Sequence, residues 1–368
     1  GAVGERADAG QRPDRRALGG VIPRALVTGP PAHAGHLSRM ARTRRHFIAG
    51  AAALAAVPAG ATVDRFAPVL DAARGMDQLH CMTIAHRGET VVEEVLRGPS
   101  AATPVNVKSV SKTLVAALLG AAIDRGELPG VGATLGQVAP GLIPPGADPR
   151  VADLTLEDLV TMRAGLERTS GANYGGWVAS RDWVADALSR PFVAQPGGPM
   201  LYSTGSFHVL GAVLAEATGQ SLLVQARQRL GAPLGIDIPS WARSPAGRYM
   251  GGNQMALSPR GMLRFGEMVR QGGTVDDTRV LSRGWLDASL VPRTRSRWSG
   301  LGYGYGWFLG AAASGPLAIA RGYGGQVIAV APAAETTVAI TSDPTRPARS
   351  RGHFGDLMKL IDRAISLA

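Results

Sequence analysis

Residues 109–128 read SVSKTLVAALLGAAIDRGEL. Apolar residues recur there at spacings of three and four, which predicts a helix that begins at Ser109. Residues three apart share one face of a helix, so the Lys112 ammonium can turn back towards the Ser109 hydroxyl. A serine hydroxyl is a weak nucleophile until a neighbour takes its proton, and a buried lysine can be neutral and do so. Ser109 and Lys112 are therefore a candidate nucleophile and base; the alternative is a helix cap and a solvated lysine.

Two later motifs lie next to predicted elements. Tyr202-Ser203-Thr204-Gly205 precedes an apolar helix. A tyrosine beside a cation can move a proton, although a tyrosine packed beneath a loop is the alternative. The run 321–326, RGYGGQ, leads into an apolar strand. Glycines there permit close backbone approach, so an N–H of this run and that of Ser109 are candidates for an oxyanion hole, with a bulge or tight turn as the alternative.

Strand patterns lie at both ends of the chain, and helical patterns lie between them. Residues 78–97 predict a hairpin around a turn at 86–89. Strands are also predicted at 303–309, 327–330 and 337–340, and a closing helix from Gly355 onward. Helices are predicted at 155–165, 181–189, 206–218, 220–230, 258–272 and 283–289. This order indicates an α+β fold, in which an antiparallel sheet from both chain ends is flanked by helices. The α/β part covers about 62–128 and 295–368, and a helical lobe inserts at about 129–294.

The order of the motifs resembles that of the penicillin-recognising serine hydrolases. These include class C β-lactamases, D-alanyl-D-alanine carboxypeptidases, esterases and 6-aminohexanoate-dimer hydrolases. S-x-x-K comes early, the tyrosine motif follows about 90 residues later, and the glycine-rich strand lies near the end. Four further segments resemble motifs of the 6-aminohexanoate-dimer hydrolases. They are LTLEDLVTMRAGL at 154–166, LSPRGMLRFG at 257–266, YGYGW at 303–307 and GYGGQ at 322–326.

The resemblance implies a β-lactamase/transpeptidase-like fold and a role for each motif. Ser109 would be the acylated nucleophile, Lys112 and Tyr202 the proton relay, and the N–H groups of Ser109 and Tyr323 the oxyanion hole. No metal and no organic cofactor are implied. The candidate substrate-binding residues are Tyr174, Trp177, Thr204, Gly322 and Gly324. Trp307 is a further candidate for the acyl pocket. For Tyr174, Trp177 and Trp307, packing in the core or in a loop is the alternative.

Two departures narrow the expected activity. Thr204 stands where class C β-lactamases have Asn, and Ala320-Arg321-Gly322 stands where they have Lys-Thr-Gly. That lysine helps to bind the carboxylate of penicillin-like substrates, and the position of Arg321 points it elsewhere on a strand. We therefore expect an ester or linear-amide hydrolase, with a β-lactamase or D,D-carboxypeptidase as the alternative. The intact Ser109, Lys112 and Tyr202 argue against a third hypothesis, an inactive binding module.

The N-terminal segment predicts export. Residues 41–61 carry Arg44-Arg45, a short apolar run and a small-residue end at Ala59-Gly60-Ala61, which resembles a twin-arginine signal. The alternative is a basic, alanine-rich helix. We expect the export machinery as a partner, cleavage near Ala61, and a periplasmic or secreted protein. Residues 1–39 precede Met40, where such a signal would begin, and are expected to lie upstream of it or to be disordered.

Charge and composition exclude some other classes. The net charge is +11, but nine arginines and three acidic residues in residues 1–61 contribute +6 of it. The remaining 30 basic and 25 acidic residues leave +5, without a basic run interleaved with aromatics, so no nucleic-acid partner is predicted. No apolar run reaches the length of a membrane span. The single cysteine, Cys81, allows no internal disulfide and is expected in a buried strand.

Overall fold

Strands from both ends of the chain form one antiparallel sheet in the computed structural model, which describes residues 59–368, with side chains from Arg65 onward. Its eight strands have the order β2-β1-β12-β11-β10-β9-β8-β7. Two short pairs, β3–β4 and β5–β6, lie apart from it. The strands are β1 (Leu79–His86), β2 (Glu89–Val95), β3 (Val105–Asn106), β4 (Ala256–Leu257), β5 (Thr274–Val275), β6 (Thr278–Arg279), β7 (Thr294–Arg295), β8 (Gly302–Tyr303), β9 (Phe308–Ala312), β10 (Gly315–Gly322), β11 (Gln326–Ala331) and β12 (Thr336–Ser342).

Helices fill the middle of the chain and both of its ends. They are α1 (Ala59–Arg74), α2 (Val110–Asp124), α3 (Leu135–Val138), α4 (Leu156–Val160), α5 (Tyr174–Ala179), α6 (Trp183–Leu188), α7 (Thr204–Thr218), α8 (Leu222–Ala226), α9 (Ala232–Leu234), α10 (Pro259–Arg270), α11 (Arg283–Ser289) and α12 (His353–Leu367). One π turn, Arg227–Gly231, joins α8 to α9. The predicted α+β architecture, with its sheet built from both chain ends, is confirmed.

The sheet is covered on both faces. β11 and β12 are buried along their whole length, as expected of strands between two helical layers. Helices α1 and α12 pack on each other and against β2 and β12, while α2 and α10 pack against β10, β11 and β12. The core of the protein therefore runs continuously from the sheet through α2 to α7.

The predicted hairpin forms for a local reason. Arg87 and Gly88 connect β1 to β2 with φ of 53° and 93°, and two positive φ values match the right-handed twist of the strands. Thr83 of β1 then pairs with Glu93 of β2 on one side and with Ala339 of β12 on the other. Cys81 is buried within β1, as predicted, and burial raises the pKa of its thiol to about 12.

Four sequence predictions need correction. The strand predicted at 303–309 is divided into β8 and β9, because the chain turns between them at Gly306, where φ is 78°. The helix predicted at 155–165 has the expected capping box at Thr155 and Asp158, but it ends at Val160. Strand β10 was not predicted, because its opening Gly315-Pro316 is typical of a turn. Helix α10 lies within the predicted helical lobe but packs on the sheet, where Gly266 brings its backbone against Ile328 and Thr337.

Two findings concern export and membranes. The predicted signal lies outside the described residues except for Ala59-Gly60-Ala61, which begin α1. Among the described helices, none alone is long and apolar enough to cross a membrane. Only α7 taken together with Leu222–Leu234 satisfies that test, and the two parts are bent by 85°.

Candidate active site

A sharp turn presents Ser109 at the start of α2. Lys108 has φ of 52°, a left-handed conformation that costs a non-glycine residue about 1 kcal/mol. Two hydrogen bonds fix the turn: Asn106 Oδ1 accepts from the Lys108 N–H at 2.9 Å, and Ser111 Oγ donates to the Lys108 carbonyl at 2.5 Å. Ser111 Oγ also accepts from the Met255 N–H at 3.1 Å, which ties the turn to the segment before β4.

Lys112 lies directly beneath the serine. Its side chain is 2% exposed, and Nζ is 3.1 Å from Ser109 Oγ. The same nitrogen lies 3.2 Å from Thr204 Oγ1 and 2.7 Å from the Gly252 carbonyl oxygen. Within residues 59–368 no carboxylate forms an ion pair with it. Burial without a counter-ion lowers the pKa of Lys112 to about 7.

The three contacts of Lys112 suit the neutral amine. A neutral amine has two N–H donors and one lone pair. The Gly252 carbonyl can accept one N–H, and Thr204 Oγ1, which also exchanges a hydrogen bond with Ser170 Oγ at 3.1 Å, can accept the other. The lone pair is then left for the Ser109 hydroxyl, as a general base requires.

Tyr202 occupies the other side of the serine. It is partly buried, and its ring centroid lies 4.8 Å from Lys112 Nζ. Burial raises the pKa of Tyr202, while the nearby Ser109 hydroxyl and the charge of Arg321 oppose that shift. The phenol is therefore held protonated at neutral pH, as a proton donor to a leaving group must be.

Thr204 takes part in the site although it replaces the expected asparagine. Besides its contact with Lys112, its backbone N–H donates to Ser170 Oγ at 2.9 Å. The neighbouring Gly205 N–H donates to Thr169 Oγ1 at 2.7 Å. These bonds join the start of α7 to the 169–170 loop, so the Thr204 hydroxyl is held at a fixed distance from Lys112.

Gly322 lets the end of β10, next to Tyr323, pack closely against the turn that carries Ser109. A Cβ on Gly322 would lie 2.3 Å from the Val107 carbonyl oxygen and 3.2 Å from Lys108 Cβ. Only glycine therefore lets the end of β10 approach the turn that carries Ser109. Among the described residues, no protein acceptor takes the N–H of Ser109 or of Tyr323, so both remain available to a developing oxyanion.

A cleft of about 760 Å³ opens above Ser109. Its volume suits a small organic substrate. It is lined by Lys108, Ser109, Arg168, Ser170, Gly171, Tyr174, Tyr202, Thr204, Asn253, Gln254, Ser296, Trp298, Phe308, Arg321, Gly322, Tyr323, Ala348 and Ser350. The prediction that the position of Arg321 points it elsewhere on the strand is therefore wrong, because its side chain lines the cleft.

Most of the residues predicted from the sequence meet in this cleft, but three do not. Ser109, Tyr174, Tyr202, Thr204, Gly322 and Tyr323 line it, and Lys112 lies beneath it. Contrary to the prediction, Trp177 is fully buried and donates its indole N–H to the Trp183 carbonyl. Gly324 packs on the backbone of Asp343, and Trp307 stacks on Phe265 in the core.

Sequence reasoning missed several residues of the site. The Gly252 carbonyl, Ser170, Asn253 and Trp298 all reach Lys112 or the cleft, and none belongs to a predicted motif. The one available signal was the Gly251-Gly252 pair. A Cβ on Gly251 would lie 2.1 Å from the Phe207 carbonyl oxygen, so this pair lets the loop press against α7 and direct its carbonyl at Lys112.

A model of the protein family described as Beta-lactamase matches residues 28–361. The chain belongs to this beta-lactamase family. No curated protein sequence matches it.

Solved structures of the same fold are similar over most of their length. The hydrolase EstCE1, described as having promiscuous acyltransferase activity, has a TM-score of 0.68 at 16% identity, covering 85% of this chain and 100% of its own. A penicillin-binding protein homologue from Caulobacter crescentus has a TM-score of 0.66 at 18% identity, with coverages of 83% and 98%. A family VIII carboxylesterase has a TM-score of 0.66 at 17% identity, covering 85% of this chain and 98% of its own. At these identities the likeness establishes the fold of this beta-lactamase family member.

Proposed function

We propose that this protein hydrolyses ester or linear-amide bonds through an acyl-enzyme on Ser109. The observation that carries the proposal is the buried Lys112 amine, 3.1 Å from Ser109 Oγ, with a pKa of about 7 and no carboxylate partner among the described residues. A base with a pKa near the working pH combines a large unprotonated fraction with enough driving force for proton transfer.

The acylation step follows from the positions of three groups. Lys112 Nζ takes the proton of the Ser109 hydroxyl as Oγ bonds to the substrate carbonyl carbon. The negative charge that develops on the carbonyl oxygen is stabilised by the N–H groups of Ser109 and Tyr323. As the bond to the alcohol or amine breaks, Tyr202 donates its proton to the leaving group and regains one from Lys112.

Deacylation uses the same groups in reverse. A water molecule gives its proton through Tyr202 and Lys112 while its oxygen bonds to the acyl carbon. The ester bond to Ser109 Oγ then breaks, and Oγ regains the proton. The products are a carboxylic acid and free enzyme, so no co-reactant besides water is consumed.

The position that binds the carboxylate of β-lactams in class C enzymes carries no charge here, which favours esters and linear amides. Ala320, which stands at the position of the motif-three lysine, is fully buried in β10 and offers no charge. Arg321 lines the cleft, but its guanidinium donates to the Ala348 carbonyl and lies 3.5 Å from the Phe354 ring centroid. Among proteins of this fold, EstCE1 is a hydrolase and another is a carboxylesterase, which agrees with the proposal.

A fluorophosphonate probe tests the nucleophile. We expect one adduct, located on Ser109 by mass spectrometry, and no labelling of Ser109→Ala. Ser296→Ala is a matched control, because Ser296 also lines the cleft but contacts neither Lys112 nor Ser109. An adduct on another residue, or none on the folded wild-type protein, would contradict the mechanism.

A substrate panel tests the reaction class. We expect turnover of 4-nitrophenyl butyrate, with a linear 6-aminohexanoate dimer as the amide counterpart and nitrocefin as the β-lactam. Fast nitrocefin hydrolysis with negligible ester cleavage would favour the β-lactamase alternative.

We also propose that the chain is exported through a twin-arginine signal and cleaved near Ala61. The paired Arg44-Arg45 and the apolar run after them support this. Export of the full chain should be lost when both arginines are replaced by lysine, which keeps the charge. N-terminal sequencing of the exported protein should begin close to Thr62.

A further inference from the structure

The cleft is lined by cations and by no acids. Lys108, Arg168 and Arg321 all line it, whereas no Asp or Glu is among its described lining residues. The loop that supplies Ala348 and Ser350 adds the exposed Arg349 and Arg351 beside the cleft. Cationic groups around a low-dielectric cavity raise the local concentration of anions. A neutral substrate would gain nothing from this arrangement.

Arg168 is the cation best prepared for a ligand. It is partly buried, and within residues 59–368 its side chain forms no ion pair and donates no hydrogen bond to protein. Its guanidinium carbon lies 5.3 Å from the ring centroid of Trp298, which is 59% exposed. Its backbone is fixed, since the Arg168 carbonyl accepts from Asn173 Nδ2 at 2.9 Å and from Arg190 Nη1 at 3.3 Å.

The other two cations are less suited to hold an anion. Arg321 is already engaged by the Ala348 carbonyl and the Phe354 ring. Lys108 presents a single ammonium on a flexible stem, without an aromatic ring against it among the described residues. A guanidinium stacked on an indole keeps its N–H edges free, and those edges match the two oxygens of a carboxylate.

We propose that the substrate carries a carboxylate, which binds the guanidinium of Arg168 where it stacks on Trp298. This inference rests on the proposed hydrolase function, because it names the substrate class of the same cleft. Arg168 lies in the loop before α5, and Trp298 lies between β7 and β8. The anion subsite therefore joins the helical part of the molecule to the sheet.

Two matched pairs of esters test the proposal. The acyl side is probed by the 4-nitrophenyl monoester of adipic acid against the same ester of adipic monoamide. The leaving-group side is probed by 4-(butanoyloxy)benzoate against 4-(butanoyloxy)benzamide. Each pair differs only in a carboxylate or a neutral amide of the same shape. We expect the carboxylate ester of one pair to have a kcat/KM about tenfold higher, an advantage that shrinks as salt is added.

Variants assign the effect to Arg168. Arg168→Gln should abolish the preference by lowering kcat/KM for the carboxylate ester to that of its neutral partner. Arg283→Gln removes the same charge from an exposed site on α11 and should keep the preference. Equal rates within both pairs, or a preference that survives in Arg168→Gln, would overturn the inference while the hydrolase function stands. Turnover of none of the four esters by folded protein would overturn the proposed function and this inference together.

Discussion

Buried cations have carboxylate partners in one region of the molecule and only neutral contacts in another. Beside α8, Arg229 is 6% exposed and holds Glu127 through two hydrogen bonds of 2.6 and 2.8 Å. On α10, Arg270 and Glu267 are paired in the same bidentate manner. Beneath the cleft, Lys112 is equally buried but contacts only neutral oxygens.

The difference separates cations that hold the structure from the lysine that the proposed mechanism uses as a base. A carboxylate beside Lys112 would favour its ammonium form and raise its pKa, which would end its use as a base. The cleft therefore leaves the cation unpaired and accepts a cost in stability. Away from the cleft, Arg229 and Arg270 are each compensated by a glutamate.

Replacing the unpaired lysine has the largest expected effect. Lys112→Met should lower kcat/KM for 4-nitrophenyl butyrate by about 10⁴-fold, because the base is lost. The same change should stabilise the fold. The pKa of Lys112 falls from 10.5 when unfolded to about 7 when folded, so burying it is unfavourable at every pH below 10.5.

The stability gain should depend on pH in a defined direction. It is largest below pH 7, about 3 kcal/mol after the lost hydrogen bonds are counted, and it declines as pH rises from 7 towards 10.5. Urea unfolding at pH 6 and pH 9 measures this. Lys359→Met is the matched control, since Lys359 is 82% exposed and should change neither property. Destabilisation by Lys112→Met at pH 6 would contradict the comparison.

The proposed oxyanion hole can be tested through Gly322. Gly322→Ala places a methyl group 2.3 Å from the Val107 carbonyl oxygen, which must push β10 away from the Ser109 turn. We expect kcat to fall by about 10²–10³-fold, the effect of losing an oxyanion-hole donor. Gly284→Ala on α11, where a Cβ meets nothing within 4 Å, should leave kcat unchanged. Full activity in Gly322→Ala would remove the Tyr323 amide from the mechanism.

Replacing the paired Arg229 should lower the stability of the fold, whereas replacing Lys112 should raise it. Arg229→Met leaves Glu127 partly buried without its partner and should cost about 2–3 kcal/mol of unfolding free energy, with kcat/KM unchanged. Arg87→Met breaks the exposed pair with Glu335 and should cost less than about 1 kcal/mol. Both are measured by urea denaturation. A loss from Arg229→Met no greater than that from Arg87→Met would show that its pairing contributes little.

The pH profile gives a smaller, sharper test. Activity needs neutral Lys112, so kcat/KM should rise about tenfold from pH 6 to pH 8, as Lys112 loses its proton near pH 7. It should fall again only above pH 10, because burial raises the pKa of Tyr202. A descending limb centred below pH 9 would argue against Tyr202 as the proton donor.

Thr204 offers the smallest expected effect. Thr204→Val removes the hydroxyl between Lys112 and Ser170 and keeps the shape, so we expect kcat/KM to fall by about tenfold. Thr204→Ser retains the hydroxyl and should lose less than threefold or so. Equal losses in both variants would assign the effect to packing.

The sequence predicts what depends on local pattern. The serine–lysine pair follows from helical spacing, and the β1–β2 hairpin follows from its turn. The Gly252 carbonyl could not be inferred in this way, because its contact with Lys112 joins residues 140 apart. Trp177 shows another limit, since an aromatic residue in a loop looks the same whether it faces a ligand or packs in the core. The placement of α10 on the sheet also depends on contacts distant in sequence.

The strand order has a consequence for when the protein can form during synthesis. β1 leaves the ribosome well before β12, with which it pairs, and Thr83 meets its partner Ala339 only 256 residues later. Until the last strands emerge, β1 has an open edge, and the glycine-rich turn that completes the site next to Ser109 does not exist. Assembly of the sheet must therefore wait until β12 has been synthesised, and pairing over such a separation is slow. The proposed hydrolysis can begin only after that strand has joined the sheet.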